Sequence, residues 1–183
     1  TDQGHETGID NTTCAADATG VGHENNASAA GSTAIGYQNE AFAADSTAVG
    51  RGNITRGIGS LAMGFTNQVA ATADYATAVG RHNTVSANGG VALGRGNVVS
   101  GNDALAVGTL AQATTEGAVA IGSWSVANRG NAVSFGSASI SSTPSSKVAW
   151  SSGIDACARS SAGRTSTRVR LPMTLRASAS TAH

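Results

Sequence analysis

A glycine returns every 14 residues along most of this chain, at Gly8, Gly22, Gly36, Gly50, Gly64, Gly80, Gly94, Gly108, Gly122 and Gly136, with a single step of 16 between Gly64 and Gly80. A unit this short cannot enclose a core of its own. Each must bury its apolar surface against the next, so the period constrains the chain to a stacked repeat. Other columns keep the same phase. Three residues after the glycine stands an asparagine, at Asn11, Asn25, Asn39, Asn53, Asn67, Asn83 and Asn97, replaced by Ala111 and Ser125 in the last units. Immediately before the glycine comes an apolar column, Val21, Ile35, Val49, Met63, Val79, Leu93, Val107, Ile121 and Phe135, and one step earlier an alanine column from Ala34 to Ala120.

Within a unit, segments such as STAIG and GVALG alternate bulkier and smaller residues with period two, which predicts a β-strand with two unlike faces. A second, shorter strand is expected after the asparagine, where Val69, Val85, Val99, Ala113 and Ala127 form a column five residues beyond the glycine. Two strands and two turns in 14 residues predict one flattened coil. Successive coils then stack at the roughly 4.8 Å spacing of paired strands, giving an all-β parallel roll and a rod of about 40 Å.

Turn chemistry agrees. Glycine accepts positive φ where the coil bends, and asparagine tolerates the left-handed region while bonding neighbouring backbone. Stacked asparagines can also bond one another along the rod. The glycines from Gly22 to Gly136 and the asparagines from Asn25 to Asn97 are therefore expected to be structural turn residues. The alternation leaves open which face is inside. If the bulky column fills the roll, the Ser, Ala and Gly column is left as a flat, nearly uncharged face; the reverse is equally consistent with the pattern. In the 16-residue step, the two extra residues of NQVAATADYATAVG are expected to leave the coil as a small protrusion around Thr72 to Tyr75.

Composition limits what such a roll can do. Aromatic residues make up 4% and charged residues 12%, and the formal net charge is zero, so no global field draws nucleic acid or an acidic surface. A coil of Ala, Val and Gly buries little apolar area, at roughly 25 cal/mol per Å², which points to packing against partner copies. No apolar run is long enough to span a membrane and the first residues have no signal-peptide character. The chain starts without Met and is read as a fragment or processed piece. Cys14 and Cys157 lack zinc-site spacing. His5, His23, His82 and His183 lack metal-ligand spacing as well, and no metal or cofactor is expected. The acidic residues form no repeated pair for acid–base work, and no phosphate loop is present. An enzyme is not expected.

One column is suited to binding. The residue after each glycine reads His23, Tyr37, Arg51, Phe65, Arg81 and Arg95, a stripe of cations and aromatics that a flat partner could meet many times over. Tyr37, Arg51, Phe65, Arg81 and Arg95 are the candidate ligand-binding residues, expected at equivalent corners of successive coils; the plainer reading is a solvated corner. An ice-binding solenoid is the alternative function, because Thr19, Thr33, Thr47 and Thr77 recur on one strand face, although Leu61, Val91, Leu105, Val119 and Val133 break that array.

The STAIG, STAVG, GVALG, ALAVG and AVAIG units, with NAVSFGS at residues 131–137, resemble the head of YadA-like trimeric autotransporter adhesins. The resemblance covers about residues 8 to 137 and implies a left-handed parallel β-roll, a homotrimer, display on the bacterial outer surface, and attachment to a host extracellular-matrix protein or cell-surface receptor. It places residues 1–137 in one head domain. Residues 138–183 depart from it. They lose the repeat, become Ser-rich and basic, and are expected to form a degenerate, disordered tail without membrane-inserting capacity.

Overall fold

The computed structural model describes residues 4–136, so the tail expected at 138–183 lies outside the described residues. Nineteen strands alternate in length. The odd-numbered ones are the longer: β1 (His5–Ile9), β3 (Thr19–His23), β5 (Thr33–Tyr37), β7 (Thr47–Arg51), β9 (Leu61–Phe65), β11 (Thr77–Arg81), β13 (Val91–Arg95), β15 (Leu105–Thr109), β17 (Val119–Ile121) and β19 (Val133–Phe135). The even-numbered strands have two residues each, from β2 (Thr12–Thr13) to β18 (Val126–Ala127). Odd strands pair in parallel with odd strands into a ten-stranded sheet, and even with even into a nine-stranded sheet. Register follows the period, so Gly22 lies opposite Gly36, Gly36 opposite Gly50 and Arg81 opposite Arg95. This is a parallel β-solenoid of about nine turns.

The small column faces inward. Ala34, Ala48, Ala62, Ala78, Ala92, Ala106 and Ala120 are fully buried, as on the opposite sheet are Ala27, Ala41, Thr55, Val85, Val99 and Ala113. The largest buried apolar side chains are Val69, Val85 and Val99. Between β3, ending at His23, and the next strand, starting at Asn26, the chain reverses in two residues, which holds the strands too close for anything larger. The bulky column must then turn outward. Ile35, Met63, Leu93 and Phe135 keep 37%, 42%, 37% and 66% of their surface exposed.

The phase-setting glycines, expected in the turns, lie from Gly22 to Gly108 inside the long strands just before the turn, and they are required there twice over. From Gly22 to Gly108 their φ lies between 118° and 133°, beyond the region that side-chain-bearing residues use. A Cβ at Gly36 would also come within 2.1 Å of the Gly50 carbonyl oxygen in the next coil.

Beside them the buried asparagines form a ladder. Asn53 Nδ2 donates to Val49 O at 2.9 Å, to Gly64 O at 2.8 Å and to Asn39 Oδ1 at 3.0 Å, while its own Oδ1 accepts from the backbone and side chain of Asn67. The same set repeats from Asn25 to Asn67, and Asn83 keeps it except that its Oδ1 accepts only the backbone N–H of Asn97, at 3.0 Å. It ends where Asn97 Oδ1 accepts the Ala111 N–H at 2.8 Å.

The other corner alternates. Asp17, Gly31, Asp45, Gly59, Tyr75, Gly89, Asp103, Gly117 and Asn131 all take φ between 53° and 65°. Each larger residue from Asp45 onward folds its side chain over the glycine of the coil before it. A Cβ at Gly31 would meet Asp45 Oδ1, one at Gly89 would meet Asp103 Oδ1, and one at Gly117 would meet Asn131 Oδ1.

The protrusion expected at Thr72 to Tyr75 is narrower and earlier. Ala73 is fully buried, and with Ala76 it takes the inward places that Gly57 and Ser60 hold one coil below. The residues that leave the coil are Ala71 and Thr72, both exposed. Ala73 N–H closes the excursion onto Ala70 O at 3.1 Å and Thr72 Oγ1 ties it to Ser86 O at 2.8 Å.

Candidate functional site

The stripe expected at the corners lies instead at the ends of the long strands, on the outer face of the ten-stranded sheet. His23, Tyr37, Arg51, Phe65, Arg81 and Arg95 share strand parity with the outward apolar column and form one cross-strand row. Their side chains stack. The His23 and Tyr37 rings are 5.3 Å apart and nearly parallel. The Arg51 guanidinium sits 5.2 Å from the Tyr37 ring centroid and 5.7 Å from that of Phe65, and Arg81 covers Phe65 from the other side at 5.4 Å. Stacked this way, each guanidinium keeps its N–H edge free for an acceptor.

Beyond Arg81 the stacking stops. Arg95 lies directly opposite Arg81 on the neighbouring strand, a like-charge pair that costs stability without an anion between. Among the described residues, no carboxylate lies within 4.0 Å of Arg51, Arg81 or Arg95; the two contacts within that distance are His23 with Glu24 and Arg56 with Glu40. The stripe is therefore a row of unneutralised, partly immobilised cations beside an exposed apolar strip. It offers hydrogen-bond donors in quantity.

The structure separates the asparagine column from the stripe. Asn25, Asn39, Asn53, Asn67, Asn83 and Asn97 are buried, with their polar atoms engaged by backbone and by one another. The threonine column lies half-buried on the outer face, where Leu61 interrupts it between Thr47 and Thr77 and Val91, Leu105, Val119 and Val133 continue it. An ice-binding lattice finds no support there. Among the described residues, no helix is long and apolar enough to cross a membrane.

A family model described as the YadA head domain repeat matches residues 15–39, 27–53, 71–97, 100–123 and 116–139, which together span more than half of the chain. The chain belongs to the YadA head family. The family's heads are adhesins rather than enzymes. The YadA-head matches pause between residues 53 and 71, the stretch that leads into the 16-residue coil. No curated protein matches the chain.

Sequence reasoning missed the alternating corner of Asp, Tyr or Asn with Gly. Its signal was present as a period of two coils, in the recurrence of glycine at Gly31, Gly59, Gly89 and Gly117, but it was masked by the stronger 14-residue period.

Proposed function

We propose that this solenoid is part of the head of a trimeric surface adhesin of bacteria. In this reading three copies stand side by side, coiled in the left-handed sense of the family, and attach the cell to a host matrix protein or cell-surface receptor. The observation that carries the trimer is the outward apolar column. Ile35, Met63 and Leu93 lie on the outer face of the ten-stranded sheet while the apolar interior is mostly alanine, so the larger apolar surface is the one a neighbouring copy can cover. Adhesion rests on the stripe. Arg51, Arg81 and Arg95, ordered by Tyr37 and Phe65, offer repeated donors to an anionic partner surface, each weak alone and additive in number.

Sedimentation of the chain tests the assembly. A species near three chain masses is expected, and a well-folded monomer at micromolar concentration would overturn it. Solid-phase binding to immobilised collagen, fibronectin, laminin and glycans tests the adhesion; a trimer that retains none of them overturns the receptor reading while leaving the assembly intact.

A further inference from the structure

Tyr75 stands where every other coil of the alternating corner places Asp, Asn or Gly. Its φ of 56° lies in the left-handed region, which those three residue types favour and a large aromatic does not. The strain is not repaid by burial, since 74% of Tyr75 is exposed. Nor is the ring loose. It lies across Gly59, where an added Cβ would come within 3.1 Å of it, and Tyr75 N–H donates to Ile58 O at 2.8 Å. Ile58, 48% exposed, extends the apolar surface, and its N–H is held by Asp74 Oδ1 at 2.8 Å.

Carboxylates flank this ring along the rod. Asp45 lies two coils before Tyr75 and Asp103 two coils after it, both exposed. Among the described residues neither makes an ion pair within 4.0 Å, and the nearby cation Arg56 is engaged by Glu40 at 3.5 Å and by the Phe42 ring. Two coils span about 10 Å along the rod. A polyproline II helix advances about 9 Å in each three-residue turn, so it presents every third side chain at nearly the same interval. Exposed aromatic surface beside acidic groups suits a proline-rich strand with cations at that spacing.

We propose that this corner is a second interaction surface, which holds a basic, proline-rich polypeptide segment in polyproline II conformation along the rod. A proline packs on Tyr75, and cations three residues to either side meet Asp45 and Asp103. The surface is separate from the arginine stripe, so its failure in an experiment leaves the adhesion reading untouched.

The test uses the full chain and a labelled polyproline peptide in which two lysines stand three residues before and after a central proline. Fluorescence anisotropy at low salt is expected to show saturable binding. Tyr75→Asn should weaken it about tenfold or more, and Asp45→Asn with Asp103→Asn should lower both affinity and salt dependence. A peptide of equal composition with its lysines adjacent at one end should also bind about tenfold more weakly. Tyr75→Asn is compatible with the backbone because Asn131 holds the equivalent position; if its melt is nevertheless lost, Tyr75→Gly carries the same comparison. Absence of binding by the unaltered chain at millimolar peptide overturns the proposal, as does equal affinity of a folded Tyr75 variant or of the rearranged peptide.

Discussion

Glycine and asparagine do different work a few residues apart, the glycine inside the long strand and the asparagine in the turn that follows it. Gly64 has φ 118°, and its absent side chain leaves room for the Gly80 carbonyl oxygen, which a Cβ would approach to 2.1 Å. Gly64→Ala therefore meets a conformational and a steric penalty together. We expect a loss on the order of 3–5 kcal/mol, seen as a lowered denaturation midpoint. Asn53→Ala removes a side chain bonded to Val49 O, Gly64 O, Asn39 Oδ1 and the Asn67 N–H. Buried groups left without partners cost about 1–3 kcal/mol each, so a loss of at least about 3 kcal/mol is expected in the same measurement. The equivalent change at Asn97 should cost less, because the ladder already ends there on an alanine. These two columns were legible in the sequence because each position favours one residue type for a local reason, and local reasons repeat with the coil.

At the scale of a coil, the long repeat separates what register demands from what a loop tolerates. Deleting Ala71 and Thr72 restores a 14-residue step without touching the inward positions, and the melting temperature is expected to change by only a few degrees. Ala73→Asp instead leaves the length alone and puts a carboxylate at a fully buried inward place; a clear loss in thermal unfolding is expected.

The arginine row belongs to this scale too, since it acts across coils. Each exposed cation contributes little alone. Changing Arg51, Arg81 and Arg95 together to Ser should weaken matrix or cell binding about tenfold at low salt and flatten its salt dependence, with the melt nearly unchanged. Equal binding at every ionic strength would remove the stripe from consideration. The sequence placed these residues in one column correctly, yet treated them as corner residues. A period locates a column along the rod, whereas its depth in the strand depends on where the turn closes.

Over the whole molecule, strand number, order and register follow from the repeat, while the inside and outside of the sheet do not. Alternation in GVALG or STAIG is symmetric between its faces. What decides is the tightness of the two-residue reversal at Glu24 and Asn25, a property of a closed coil rather than of any segment. The cationic stripe and the acidic, aromatic corner occupy opposite margins of the coil for the same geometric reason, and neither margin is visible until the coil is closed.

The alternating corner sets a quantum of length. Because the side chain of Asp103 lies over Gly89 and that of Asn131 over Gly117, the smallest interchangeable segment is a pair of coils, not one. Excising residues 82–95 would stack Asp103 directly on Tyr75, with its carboxylate where the tyrosine Cβ must stand. Excising residues 82–109 would bring Gly117 above Tyr75 and keep the alternation. The shorter rod made by the larger cut is expected to keep a cooperative melt, and the smaller cut to lose several kcal/mol in denaturant unfolding. A rod of this kind grows and shrinks in even steps, much as a zipper with two kinds of tooth can be cut only between matched pairs.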